Sequence, residues 1–136
     1  MEFTVNWSPL GFTFLLLVIY QLKHFVADFP LQCKYMLQKD KPGWDFFLPL
    51  AAHSAVHGAI TLVIVLAVAP HLWWLALLDF TIHFTMDRIK SGPRYLGRYC
   101  DSLKAAYWNC FGWDQMVHHL THYSIIWVIV CDLFGL

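Results

Sequence analysis

The chain has 136 residues, 59% of them hydrophobic and 13% charged, and its formal net charge at pH 7 is zero. A water-soluble domain carries about a quarter charged residues, so this balance excludes an ordinary soluble domain and points to the membrane class. Zero net charge also removes any general attraction to nucleic acid.

Residues 1–7 hold no Lys or Arg, and no small-residue cleavage site follows the first apolar run, so a retained span rather than a signal peptide is expected. The four cysteines, Cys33, Cys100, Cys110 and Cys131, form no CxxC pair. Free thiols are expected, and a thiolate zinc site is not.

The first span is predicted over about residues 10–29. Pro9 suits a first helical position, and Pro30 cannot continue the helix. About 20 residues cross a hydrocarbon core. The first half is apolar apart from Thr13, whereas Lys23, His24 and Asp28 crowd the last turns. His24 and Asp28 are i, i+4 and share a helix face. Residues 31–47 are polar, with Pro42-Gly43 as a turn signal and Tyr35, Trp44, Phe46 and Phe47 suited to a membrane interface.

The second span is predicted over about residues 49–68. Its polar residues come early: His53, Ser54 and His57, with the two histidines again i, i+4. Pro70 then turns the chain, and His71 lies beyond it, away from the other histidines. The third span is predicted over about residues 72–90, anchored by Trp73 and Trp74. Asp79, His83 and Asp87 follow one another at intervals of four, so they climb roughly one face. Residues 94–112 mix Arg94, Arg98, Asp101 and Lys104 with aromatics, which suggests a short interfacial helix. The fourth span is predicted over about residues 113–134. Asp114, His118 and His122 again stand four apart at its beginning, followed by an apolar run.

Spans one and three are polar at their ends, spans two and four at their beginnings. In an antiparallel bundle of four transmembrane helices, those four places form one layer. All nine basic residues lie on that side: Lys23, Lys34, Lys39, Lys41, Arg88, Lys90, Arg94, Arg98 and Lys104. Short loops rich in Lys and Arg stay cytoplasmic. The expectation is a multi-pass membrane protein, both termini outside, with the polar layer facing the cytoplasm.

A central Asp costs about 2.5–3.5 kcal/mol on insertion scales, so it needs a partner. A divalent cation satisfies carboxylates and neutral imidazoles together. The expected ligands are His24, Asp28, His53, His57, His83, Asp87, Asp114 and His118, enough for two ions. Zinc suits them best, with manganese or iron as alternatives; zinc or manganese would activate water for hydrolysis. Asp79 either binds the second ion or hydrogen-bonds a neighbouring helix. His122 is a ligand or a base behind the ligands. His119 lies about 100° around the helix from His118 and should face another helix or the head groups. Gln32, Ser54, Lys90 and Gln115 are candidates to orient ligands, and Lys90 is also a candidate to bind an anionic substrate such as a phosphate. Arg94, Arg98 and Lys104 either contact anionic lipid heads or serve as topology charges.

The ordered set His24-x3-Asp28-Phe29-x2-Gln32, His53-Ser54-x2-His57, His83-x3-Asp87-x2-Lys90 and Asp114-Gln115-x2-His118 resembles the small bacterial and phage inner-membrane proteins grouped as DUF3307, a family of unknown function. The resemblance runs from span one to span four. More loosely, the chain is similar to bacterial inner-membrane proteins described as membrane-bound metal-dependent hydrolases. These resemblances imply a polytopic membrane fold and metal hydrolysis, and bring no substrate. The family pattern has no clear counterpart for His119 or His122.

The sequence therefore supports a membrane metal-dependent hydrolase acting on a lipid head group or a small phosphorylated molecule, with membrane lipids as its surroundings. The alternative is a non-enzymatic membrane protein that binds a partner protein, its His/Asp layer serving as a structural metal site or packing network. A metal or proton carrier ranks last, because the outer halves of all four spans are dry. A homo-oligomer is compatible with so short a chain, although no GxxxG pattern marks an interface.

Overall fold

In the computed structural model, residues 7–136 are described, and they are all-α. Four long helices are joined through short 3₁₀ turns: α1 (Pro9–Asp28), α2 (Phe47–Val68), α3 (Trp74–Ser91) and α4 (Ala105–Phe134). The turns are Met36–Asp40, Pro70–Leu72 and Leu96–Arg98.

Local chemistry sets these limits. Ser8 caps α1, its Oγ accepting from the Gly11 amide at 3.1 Å, and Pro9 occupies the first turn, where no amide is needed. Pro30 stops the helix after Phe29 caps it. Pro70 ends α2 in the same way. At the other end of the chain, Gly135 takes φ 66°, the left-handed conformation that closes α4 without a Cβ penalty.

Three helices, α1, α2 and α4, are long and apolar enough to cross a membrane. The third, α3, has 18 residues but carries Asp79, Asp87, Arg88 and Lys90, which takes it out of that class. α1 also exposes Leu10, Phe14, Val18, Leu22 and Phe25 along its outer face while burying Leu16 and Tyr20 within. A helix apolar on both its inner and outer faces suits lipid rather than water.

α4 begins at Ala105, eight residues before the expected start at 113. The separate interfacial helix expected between spans three and four is thus corrected. Its second half is the first two turns of α4, because Gly112 inside a helix weakens it without breaking it. The stretch before it is irregular apart from the turn Leu96–Arg98.

The interior divides into two parts. Leu16 and Tyr20 of α1, Val65 of α2, Leu75 of α3 and Ile125, Ile126, Ile129 and Val130 of α4 form one apolar cluster. Beyond it lies a buried polar layer, entered by the C-terminal halves of α1 and α3 and the N-terminal halves of α2 and α4. α2 and α3 approach closely beside it. A Cβ on Gly58 would sit 3.1 Å from Phe80 Cβ and 3.2 Å from the Ala76 carbonyl.

Candidate metal centre

The i, i+4 pairs read from the sequence converge in space. His24, His53, His57, Asp79, His83, Asp87, Asp114, His118 and His122 are all buried. Apart from His24, and with the half-buried Asp28 added, their donor atoms fall into three groups, within each of which the atoms lie within 4.8 Å of one another. The first is Asp28, His53, His57 and His83; the second is Asp87, Asp114 and His118; the third is Asp79, His83 and His122. Each of these groups could hold a metal ion.

The first group draws on three helices. Asp28 Oδ1 lies 3.0 Å from His57 Nε2 and 3.4 Å from His53 Nε2. The His83 ring stacks between those of His57, at 3.6 Å between centroids, and His118, at 3.9 Å. This ladder links the first group to the second. There, His118 sits 3.9 Å from Asp87 Oδ1 and 3.9 Å from Asp114 Oδ1. His53 Nε2 is also 3.2 Å from Asp87 Oδ2, a second link.

Several of these atoms lack partners. Both ring nitrogens of His53, His83 and His118 are buried without a hydrogen bond, as are Asp79 Oδ1 and Asp114 Oδ1. Buried polar atoms are normally satisfied, and leaving one bare costs about 1–3 kcal/mol. Imidazole nitrogens and carboxylate oxygens converging in this way are the donor types that a divalent cation takes. The residues present fit such an ion.

His24 stands outside all three groups. Its Nε2 lies 3.0 Å from Gln115 Oε1 and 3.1 Å from Asp28 Oδ2. Gln115 in turn donates to Asp114 Oδ2 at 3.1 Å, so the pair joins the carboxylates of the two main groups. Ser54 is buried on α2 with an unpartnered hydroxyl, and Gln32 lines the cavity at the edge of the layer. Lys90 pairs with Asp114 at 3.1 Å at that same edge. His119 faces α1, with Gln21 Nε2 at 3.2 Å. His71 is remote, paired with Asp132 on the exposed far side.

Two lysines have roles that composition and spacing did not suggest. Lys23 was expected among the topology charges; instead it is 3% exposed and lies inside the layer. Its Nζ donates to Asp79 Oδ2 at 2.7 Å and lies 3.1 Å from His122 Nε2. Thr61 Oγ1 donates to the same Asp79 oxygen at 2.7 Å. The third group thus already contains a cation, and Asp79 is a hydrogen-bonded anchor between helices. Lys39, in the Met36–Asp40 turn, donates to Asp87 Oδ2 at 2.5 Å. A signal for Lys23 existed: it continues the buried series Leu16, Tyr20, Ala27 of α1. Lys39 gave none, because it lies in a segment without periodicity.

The family model described as Protein of unknown function (DUF3307) matches residues 14–134, which includes every residue of the three groups. No curated protein matches the chain, and no solved structure matches it. The looser similarity to membrane-bound metal-dependent hydrolases gains no support from these comparisons.

Proposed function

The chain belongs to the DUF3307 family, and we propose that it is a multi-pass membrane metalloprotein whose His/Asp layer holds two divalent ions and hydrolyses a lipid head group or a small phosphorylated molecule. One observation carries this reading. Three buried histidines, His53, His83 and His118, keep both ring nitrogens free of hydrogen bonds beside the carboxylates of Asp28, Asp87 and Asp114.

Asp28, His53, His57 and His83 would hold one ion, and Asp87, Asp114 and His118 the other. Zinc suits these donors best and would supply Lewis acidity and an activated water; manganese fits the same set, and iron would turn the site to oxidation. His24 and Gln115 orient Asp28 and Asp114. Lys90, at the open edge, meets the anionic part of the substrate. His122 is better cast as a positioning residue than as a base. It faces Lys23 and Asp79 inside the layer and does not line the cavity through which substrate would enter.

The setting follows the same reasoning. Three helices suit a bilayer, and we place α3 among them as the fourth span, its charges covered by partners. The resemblance to bacterial and phage proteins favours the bacterial inner membrane, and the basic residues on the layer's side argue for both termini outside and the site at the cytoplasmic face.

Elemental analysis of detergent-purified protein tests the reading, beside an Asp87→Ala/His118→Ala variant. The expected result is about two equivalents of zinc, manganese or iron, lost in the variant. No bound metal in a normally folded protein overturns it.

A second reading has its own observation. Lys23–Asp79, Lys39–Asp87 and Lys90–Asp114 pair three carboxylates of the layer with ammonium groups. A network closed in this way would serve a non-enzymatic membrane protein that binds a partner protein. In that case His83→Ala should unfold the bundle. In a hydrolase, His83→Ala should remain folded and lose metal.

A further inference from the structure

At the edge of the layer a cavity of about 210 Å³ opens between the end of α1, the Met36–Asp40 turn, α3 and the start of α4. Its charged lining is Asp28, Asp87 and Asp114 against Lys39 and Lys90. A second cavity of about 350 Å³ adjoins it, and the two share Lys90 and Phe111 as walls. The second is mainly apolar and aromatic, with Leu96, Tyr99, Tyr107 and Phe111 in its lining. Lys90 Nζ stands at their junction, 5.0 Å from the centre of the Phe111 ring and 3.1 Å from Asp114.

We propose that the two cavities form one binding site for a phosphorylated lipid, its phosphate between Lys39 and Lys90 and the first part of its apolar chain among Leu96, Tyr99, Tyr107 and Phe111. This deepens the metal reading and rests on it. Without cations, three carboxylates outnumber two ammonium groups around the polar cavity, and an anion is not favoured. Two divalent ions reverse that balance. Carboxylates engaged by those ions also release Lys39 and Lys90, which now neutralise Asp87 and Asp114, to face the phosphate. Both lysines thus act as resident counter-ions until the site is loaded. A free phosphate would use only the smaller cavity. A lipid bearing a phosphate monoester uses both, with the charge at the polar mouth and the chain along the aromatic wall.

The test is binding to the full-length, zinc-loaded protein in detergent, with metal content measured on the same sample. The probes are phosphatidic acid, phosphatidylcholine and inorganic phosphate. Phosphatidic acid is expected to bind at least about tenfold tighter than either of the others, the equivalent of one good charge-assisted contact. Lys90→Met should remove that preference. Leu96→Trp, which fills the apolar cavity, should weaken phosphatidic acid and leave inorganic phosphate unchanged; unaltered metal content in each variant shows an intact site. Equal binding of phosphatidic acid and phosphatidylcholine overturns the phosphate recognition. Inorganic phosphate binding as well as the lipid, with no effect of Leu96→Trp, overturns the role of the apolar cavity. Metal content reports separately on the metal reading. If it is nil and the preference is absent, both ideas fall; if it is nil and a Lys90-dependent preference persists, the metal reading falls and with it the claim that bound ions free the two lysines.

Discussion

The same four helices build two unlike interiors. In one half, Leu16, Val65, Leu75, Ile125 and Ile129 interlock with no demand beyond fit, and Tyr20 borders them. In the other, thirteen polar or charged side chains from Lys23 to His122 are buried among the described residues. The apolar half is a sum of many small contacts, each replaceable at the cost of some packing. The polar half depends on mutual partners: taking away one member leaves another charged or polar atom bare in a medium that cannot solvate it. Stability should therefore be distributed in the first region and concentrated in the second.

The sharpest way to break that contrast is at Lys23. Its ammonium is the main charge partner of Asp79, and both side chains are almost fully enclosed. Lys23→Met should destabilise the protein by roughly 3–5 kcal/mol, as expected for half of a buried ion pair. Adding Asp79→Leu to the same chain should recover most of the loss, because the stranded carboxylate goes with it. Denaturant-induced unfolding in detergent, comparing the single and double variants, decides the matter. A double variant no better than the single one would mean that Lys23 serves His122 rather than Asp79.

The apolar half should yield less. Leu75 is fully buried in the cluster, and Leu75→Ala should cost about 2–3 kcal/mol, the lower part of the range for such truncations. Lipid is as apolar as leucine, so what is lost is packing rather than shielding from water. Metal content should not change. A Leu75→Ala protein that folds but loses metal would show that the two halves are one cooperative unit.

Gly58 sits where the regions meet. Gly58→Ala would press a methyl against Phe80 Cβ and the Ala76 carbonyl, and should cost about 1–3 kcal/mol by separating α2 from α3. Because His53 and His57 ride on α2 and His83 on α3, a wider gap should also weaken metal binding. Unfolding and metal titration of the one variant therefore report on both halves.

Much of this contrast is visible in the chain itself. Regular spacing of Asp and His marks the helix faces that enter the layer, and Pro9, Pro30 and Pro70 punctuate the helices. What spacing could not supply is which polar residue meets which. Lys23 looks like any basic residue near a helix end until its register with Leu16 and Tyr20 is considered. Lys39 reaches Asp87 from 48 residues away through an irregular segment, a contact that only tertiary structure fixes. Residue 112, where the interfacial segment was expected to end, is Gly112 inside α4, and the helix runs through it without a break. His24 shares a face with Asp28 as its spacing requires, yet it turns to Gln115 instead of joining a ligand group.

The smallest effect belongs to an imidazole–carboxylate pair that lies outside both regions. His71 Nε2 meets Asp132 Oδ2 at 2.9 Å on the far side, with the His71 side chain 62% exposed. The chemical types match those of the layer, an imidazole beside a carboxylate at hydrogen-bond distance. Only the surroundings differ. Here water can solvate either partner alone, so an exposed pair is worth about 0–1 kcal/mol, and His71→Ala should alter stability by no more than that and leave metal content untouched. A thermal unfolding midpoint and metal content both indistinguishable from wild type are the expected result. A large loss would place His71 in a buried contact, with a partner helix or a second copy of the chain. If burial, and not residue type, separates the layer from this pair, then Lys23→Met and His71→Ala must lie at opposite ends of the scale.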